Sequence, residues 1–122
     1  MGTREAFLED LASKVDSWTG IAVQATTDAS ADLEWTENAE AFRRVQEALA
    51  AAQVPEEDVH RVFSKCLRGL AMSTLSIIDG ATKLADEVRI RIVDENDEAL
   101  GEALRDDFAL HWLDTRGRSE PQ

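Results

Sequence analysis

The stretch Pro55-Glu56-Glu57-Asp58-Val59-His60-Arg61-Val62-Phe63-Ser64-Lys65-Cys66-Leu67-Arg68-Gly69-Leu70-Ala71-Met72-Ser73-Thr74-Leu75-Ser76-Ile77-Ile78-Asp79-Gly80 decides the fold. Proline suits a first helical position, where its missing N–H has no partner to lose. The three acids behind it complement the positive end of a helix dipole. Val59, Val62, Phe63, Cys66, Leu67, Leu70, Thr74, Ile77 and Ile78 then keep a 3.6-residue period. Gly80 fits a left-handed cap at the far end. The spacing predicts a helix about 36 Å long at 1.5 Å per residue. From Leu67 to Ile78 only Arg68 is charged, which assigns that half to the centre of the core or to an oligomer interface. Cys66 shares the apolar face, where a buried thiol packs as a small apolar group and stays inert.

Upstream, Gln53-Val54-Pro55 breaks the chain, because proline holds the residue before it in extended conformations. A second helix is expected from just after Thr36 to about Ala52. Phe42, Val45, Leu49 and Ala52 form its apolar face, and the alanines at 48, 50, 51 and 52 favour helix. A first helix is expected from about Arg4 to Trp18, with Phe7, Leu8, Leu11, Val15 and Trp18 at helical spacing, Thr3 as N-cap and Gly20 as the stop. Between the two, Ile21-Ala22-Val23 reads as a short strand or as chain packed on the core. Thr26 to Ser30 reads as loop, since such side chains compete for backbone hydrogen bonds.

Downstream, Val88, Ile90 and Ile92 alternate with Arg89 and Arg91, the pattern of a strand with one buried face. Asp94-Glu95-Asn96-Asp97 is turn-forming, with Asn96 suited to a left-handed conformation, and Glu98-Ala99-Leu100 is a short return strand. A last helix, about Glu102 to Thr115, carries Leu104, Phe108, Trp112 and Thr115 on one side and ends at Gly117. Residues Arg118 to Gln122 are expected to fray. The expected fold class is α+β and mainly helical: about four helices, a long central third helix, and a small antiparallel β-hairpin. The 122 residues suggest one domain, large enough to hold a core without metal or disulfide.

The charge balance narrows function further. Twenty-five acidic against 13 basic residues give a formal charge of −12. A nucleic-acid footprint needs a basic stripe, so direct nucleic-acid binding is not expected, and an anionic membrane surface is disfavoured likewise. Opposite charge speeds encounter, so a basic protein partner is favoured. Solubility alone would also account for the acidity. The single cysteine cannot form an internal disulfide, no apolar run approaches the length of a membrane span, and the N-terminus lacks the apolar stretch of a secretory leader. The expected compartment is the cytoplasm.

Catalytic patterns are sparse. His60, Cys66 and His111 form no two-cysteine or two-histidine pair, so no structural zinc site and no cofactor is expected. Asp94, Asn96 and Glu98 match the first spacings of a calcium loop, but Ala99 stands where glycine is required and Arg105 where glutamate is required, which leaves a plain turn. His111 lies three before Asp114 and could pair with it on one helix face. His60 follows three acids and makes a local charge contact. The many adjacent carboxylate pairs read as solvated faces.

Two acid-rich segments stand out. Asp28 to Glu40 holds five acids and no base, with Leu33 and Trp35 inside it. A tryptophan framed by acids suits a hot spot for a basic partner, against the simpler reading that Leu33 and Trp35 staple the second helix to the core. Asp94 to Asp107 holds seven acids against Arg105. The expected partner-binding residues are Leu33, Glu34, Trp35 and Glu37 in the first segment and Asp94, Glu95, Asp97 and Glu98 in the second.

The run Ile78-Asp79-Gly80-Ala81-Thr82-Lys83-Leu84-Ala85-Asp86, then Arg91-Ile92-Val93-Asp94-Glu95, Leu100-Gly101-Glu102, Phe108 and Asp114-Thr115-Arg116-Gly117 resembles small uncharacterised acidic bacterial proteins. These combine an Asp-Gly-x-Thr-x-Leu-Ala-Asp segment, a hairpin and a final helix. The resemblance covers the last third of the chain and carries no site residues. In size, acidity and lack of catalytic motif the chain is also similar to toxin immunity proteins. The expected function is a non-catalytic, acidic protein-binding module, an immunity protein or inhibitor that covers a basic surface of its target. The alternatives are a phage-type anti-defence protein whose carboxylates imitate DNA, or a small ligand-binding domain or enzyme with a pocket near His111. A homodimer also remains open.

Overall fold

The computed structural model describes residues 2–117, so the expected frayed tail lies outside the described residues. Regular structure among them is helical: α1 (Thr3–Thr27), α2 (Ala39–Ala51), α3 (Glu56–Ile78), a short 3-10 turn (Lys83–Asp86) and α4 (Leu104–Arg116). The α+β expectation is thereby corrected. In place of the hairpin there is one isolated antiparallel bridge, Val93 to Ala99. The Leu100 amide donates to the Ile92 carbonyl and the Asp94 amide to the Glu98 carbonyl, each at 2.9 Å. The pairing stops there for physical reasons. Arg4 draws the Leu100 and Glu102 carbonyls to its guanidinium at 2.7 Å. Val88 and Ile90 stay 48 and 44% exposed and Ile92 is only half-buried, so the alternation buries no continuous face. A lone two-stranded ribbon is marginal without such burial. Among the described residues no helix is long and apolar enough to cross a membrane.

The chain packs as two compact units, one made of the residues up to Val15 and from Arg68 onward, the other of Asp16–Leu67. In the first, Leu8 and Ala12 of α1, Ala71 and Leu75 of α3, and Leu104, Phe108 and Trp112 of α4 are buried. Burying side chains as large as Leu75 and Phe108 stabilises by about 1.5–3 kcal/mol each. The i, i+4, i+8 spacing on α4 presents Leu104, Phe108 and Trp112 on one face, as expected. Asp79 completes the helix start: its two carboxylate oxygens accept from the Leu104 and Arg105 amides at 2.9 Å. Ala103 precedes α4 with a left-handed backbone and cannot cap it. Gly117 ends α4 at φ 77°, its amide on the Leu113 carbonyl.

In the second unit α1 continues through Gly20 to Thr27, which corrects both the expected stop and the strand or packed chain at Ile21–Val23. A solvent-facing glycine inside a helix costs about 1 kcal/mol relative to alanine. Burial of Thr19, Val23, Ala25 and Thr26 on either side of it outweighs that cost. α1 is therefore longer than α3. The turn after α1 is tied down by α2. Gln46, buried to 7% exposure, donates to the Ala25 carbonyl at 2.7 Å and the Asp28 carbonyl at 3.1 Å. Arg43 donates to the Ala29 and Ala31 carbonyls at 2.6 and 3.0 Å. The inward position of α2 is thus a polar one, whereas Val45 on the expected apolar face is 43% exposed.

α3 keeps its expected limits. Its end is a Schellman turn, with the Ala81 amide on the Ser76 carbonyl, the Gly80 amide on the Ile77 carbonyl, and Gly80 at φ 78°. Its buried positions are Val59, Ser64, Ala71 and Leu75, while Val62 and Leu70 are 61 and 64% exposed. Cys66 is exposed, contrary to its expected core position.

Candidate functional site

The second unit holds a groove of roughly 360 Å³ lined by Trp18, Ile21, Gln24 and Ala25 of α1 and by Ala31, Asp32 and Trp35 of the following loop. Trp18, Ile21 and Ala25 stand at i, i+3 and i+7, so one stripe of the uninterrupted helix forms a wall. The opposite wall is set by the loop. Asp32 accepts the Glu34 amide at 2.9 Å, and the Thr36 amide turns back to the Leu33 carbonyl at 3.2 Å. That turn separates Leu33, buried to 5% exposure, from Trp35, 51% exposed. The Trp35 indole N–H donates to the Asp32 carbonyl at 3.0 Å. Its ring meets Trp18 edge-on with centroids 6.4 Å apart and Phe42 with centroids 5.6 Å apart. These contacts fix Trp35 while half of it, and 52% of Trp18, stays open to solvent.

Of the expected contact residues in this segment, Glu34, Trp35 and Glu37 are exposed, whereas Leu33 belongs to the core. Sequence reasoning missed Trp18 and Ile21 as groove residues. The signal was present: their spacing with Ala25 is helical across Gly20. Asp28 accepts from the Ser30 hydroxyl at 2.7 Å and the Ser30 amide at 2.8 Å, and the hydroxyl contact, with the amide contact behind it, holds its carboxyl below the usual range.

The second acid-rich segment is built differently. Asp94 lies in the turn, and one of its carboxylate oxygens accepts the Asn96 and Glu98 amides at 2.8 and 3.0 Å. The left-handed residue of the turn is Asp97, at φ 62°, not Asn96. Glu95, Asp97 and Glu98 are exposed. Asp107 is held by Arg4, whose Nε donates to it at 3.1 Å. This segment belongs to the first unit, so the two expected contact segments lie in different units.

His111 also departs from expectation. Its Nε2 lies 2.7 Å from Glu9 Oε2, not on Asp114, and its side chain is 19% exposed. Arg116 donates to both oxygens of Glu9, at 3.0 and 3.3 Å. Arg68 and Arg116 lie over the Trp112 ring, 4.9 and 5.0 Å from its centroid, a favourable placement of cations on a π face. Hydrogen bonds from Arg116 and then His111 lower the Glu9 pKa to about 2. A carboxylate so stabilised as an anion is a weak base, which makes Glu9 a stapling group and a poor proton acceptor at neutral pH. Among the described residues no three histidine, cysteine or acidic side chains gather as metal ligands would.

No family model matches the chain, and no curated protein or solved structure matches it.

Proposed function

We propose that the protein is a non-catalytic, acidic binding module of the immunity-protein or inhibitor kind, which covers a basic surface of a target protein. The observation that carries this reading is the pair of half-exposed tryptophans, Trp18 and Trp35, at a groove walled in part by Asp32. Fixed aromatic rings at a partly apolar groove are the usual anchors of a protein interface. Glu34 and Glu37 follow directly in the loop, and the net charge of −12 steers a basic partner toward such a surface. The exposed Glu95, Asp97 and Glu98 add to the same long-range attraction. The target's complementary feature is an arginine- or lysine-rich patch that sets a cationic side chain against the indole faces.

The test is affinity capture from the host lysate with the wild-type chain and with Trp35→Ala, each at low and high salt. The reading predicts a basic protein that the wild type retains at low salt, releases in part at high salt, and that Trp35→Ala retains far less. A retained set that is indifferent to both salt and Trp35→Ala overturns it.

A further inference from the structure

The first unit carries a second cleft of roughly 440 Å³, where the end of α3 meets the segment around the isolated bridge. Its apolar part comes from Ile78, Ile90 and Ala99, and its cationic part from Arg89 and Arg91. Two things set these arginines apart. First, they are without an ion pair or hydrogen bond among the described residues, in a chain with nearly twice as many acids as bases. Among the other described arginines, Arg4, Arg44 and Arg61 have carboxylate partners, Arg43 has carbonyl and amide partners, Arg68 lies over the Trp112 ring and Arg116 holds Glu9, while Arg105, whose side chain likewise lacks such a partner, is outside the cleft lining. Second, Arg89, though exposed, reaches back to the end of α3. Its guanidinium lies across Gly80, where any Cβ would collide with it, beside the carbonyl-rich end of α3, where a cation is favoured.

Asp79 and Glu102 bring carboxylates to the same cleft. The two Asp79 oxygens are occupied by the Leu104 and Arg105 amides, so the positive end of α4 offsets part of that charge. Two guanidiniums thus face Glu102 and a partly compensated Asp79, and the positive surplus is less than one charge. This suits a monoanion better than a dianion. The planar fork of arginine matches a carboxylate, and the apolar wall has room for a short hydrocarbon body.

We infer that this cleft binds a small monocarboxylate with a short apolar body, its carboxylate on Arg89 and Arg91 and its body against Ile78, Ile90 and Ala99. The inference is independent of the basic-partner reading, which concerns the other unit. It is tested by calorimetric titration of the full chain with isovalerate, acetate and inorganic phosphate, with thermal unfolding of each variant alongside. Isovalerate is expected to bind saturably and several-fold more tightly than acetate, since its extra carbons leave water. Arg89→Gln and Arg91→Gln each weaken it about tenfold or more, as loss of a charged hydrogen-bond donor requires. Arg105→Gln, which removes a guanidinium outside the cleft lining, leaves binding unchanged. Arg91 does not lie against Gly80, so its variant stands even if Arg89→Gln disturbs the fold. No saturable binding of isovalerate, phosphate binding as tightly as isovalerate, or affinity untouched by Arg91→Gln in a folded chain overturns the inference.

Discussion

The segments Asp28–Glu40 and Asp94–Asp107 look alike as sequence, each crowded with acids, yet they differ in what surrounds the charge. Both use aspartates to accept backbone amides: Asp28 and Asp32 in the first, Asp94 in the second. Both leave glutamates exposed, such as Glu34 and Glu37 against Glu95 and Glu98. Only the first sets its acids beside exposed, mutually packed tryptophans. In the second, the exposed apolar side chains nearby are the aliphatic Val88, Ile90 and Val93. Acid density therefore does not separate the two segments, whereas rigid aromatic area beside the acids does, and it is on that area that the proposed docking surface rests.

The difference can be broken or sharpened by substitution. The largest effect is expected at Gln46, which ties the start of the first segment through the buried Ala25 carbonyl and the partly buried Asp28 carbonyl. Gln46→Ala takes the donor from the buried Ala25 carbonyl, while the Asp28 carbonyl keeps the Ala31 amide, and should cost about 1–3 kcal/mol in denaturant unfolding; a neutral result would mean that the loop needs no tether. Asp94→Ala removes the acceptor for two turn amides and should cost about 1 kcal/mol, within the range of lost caps. If it instead left stability intact and abolished partner binding, the second segment would be a contact surface after all. Gly20→Ala should stabilise by about 0.5–1 kcal/mol, because a Cβ there meets nothing within 4 Å and the helix gains propensity. A lower melting temperature would show that α1 needs glycine at this position. The smallest effect belongs to Glu9, which is partly solvent-exposed. Its lowered folded pKa of about 2, against 4.5 for an unperturbed glutamate, gives stability that is full above pH ~4.5 and lost as pH falls toward ~2. Glu9→Gln should flatten that acid limb of a pH–stability profile, and an unchanged limb would deny the Arg116–Glu9–His111 staple its role.

Much of the helical frame was legible. Pro55 and the acids behind it marked the start of α3, Gly80 and Gly117 marked two helix ends, and Leu104, Phe108 and Trp112 marked the inward face of α4. Where reading failed, tertiary contacts outweighed local rules. Gly20 signals a stop, but burial of its neighbours carries the helix past it. The Val88–Ile92 alternation signals a strand, yet a return strand of three residues ending near Arg4 cannot complete a ladder. On α2 the buried position is Gln46, because the loop carbonyls it serves belong to residues 18 and 21 positions away and leave no periodic trace. His111 found Glu9 instead of Asp114 for the same reason, since the partner lies 102 positions away. For the groove, Trp35 was readable from its acidic setting, whereas Trp18 and Ile21 were hidden by the misplaced helix end.

The most direct test of the account is a calorimetric titration of the basic protein retained in the capture experiment against wild type, Trp35→Ala and Asp94→Ala, at two salt concentrations. The account predicts that Trp35→Ala weakens binding by about 2 kcal/mol or more, roughly thirtyfold in Kd. It also predicts that Asp94→Ala changes Kd little once the loss of folded protein is allowed for. Equal Kd for wild type and Trp35→Ala would contradict it.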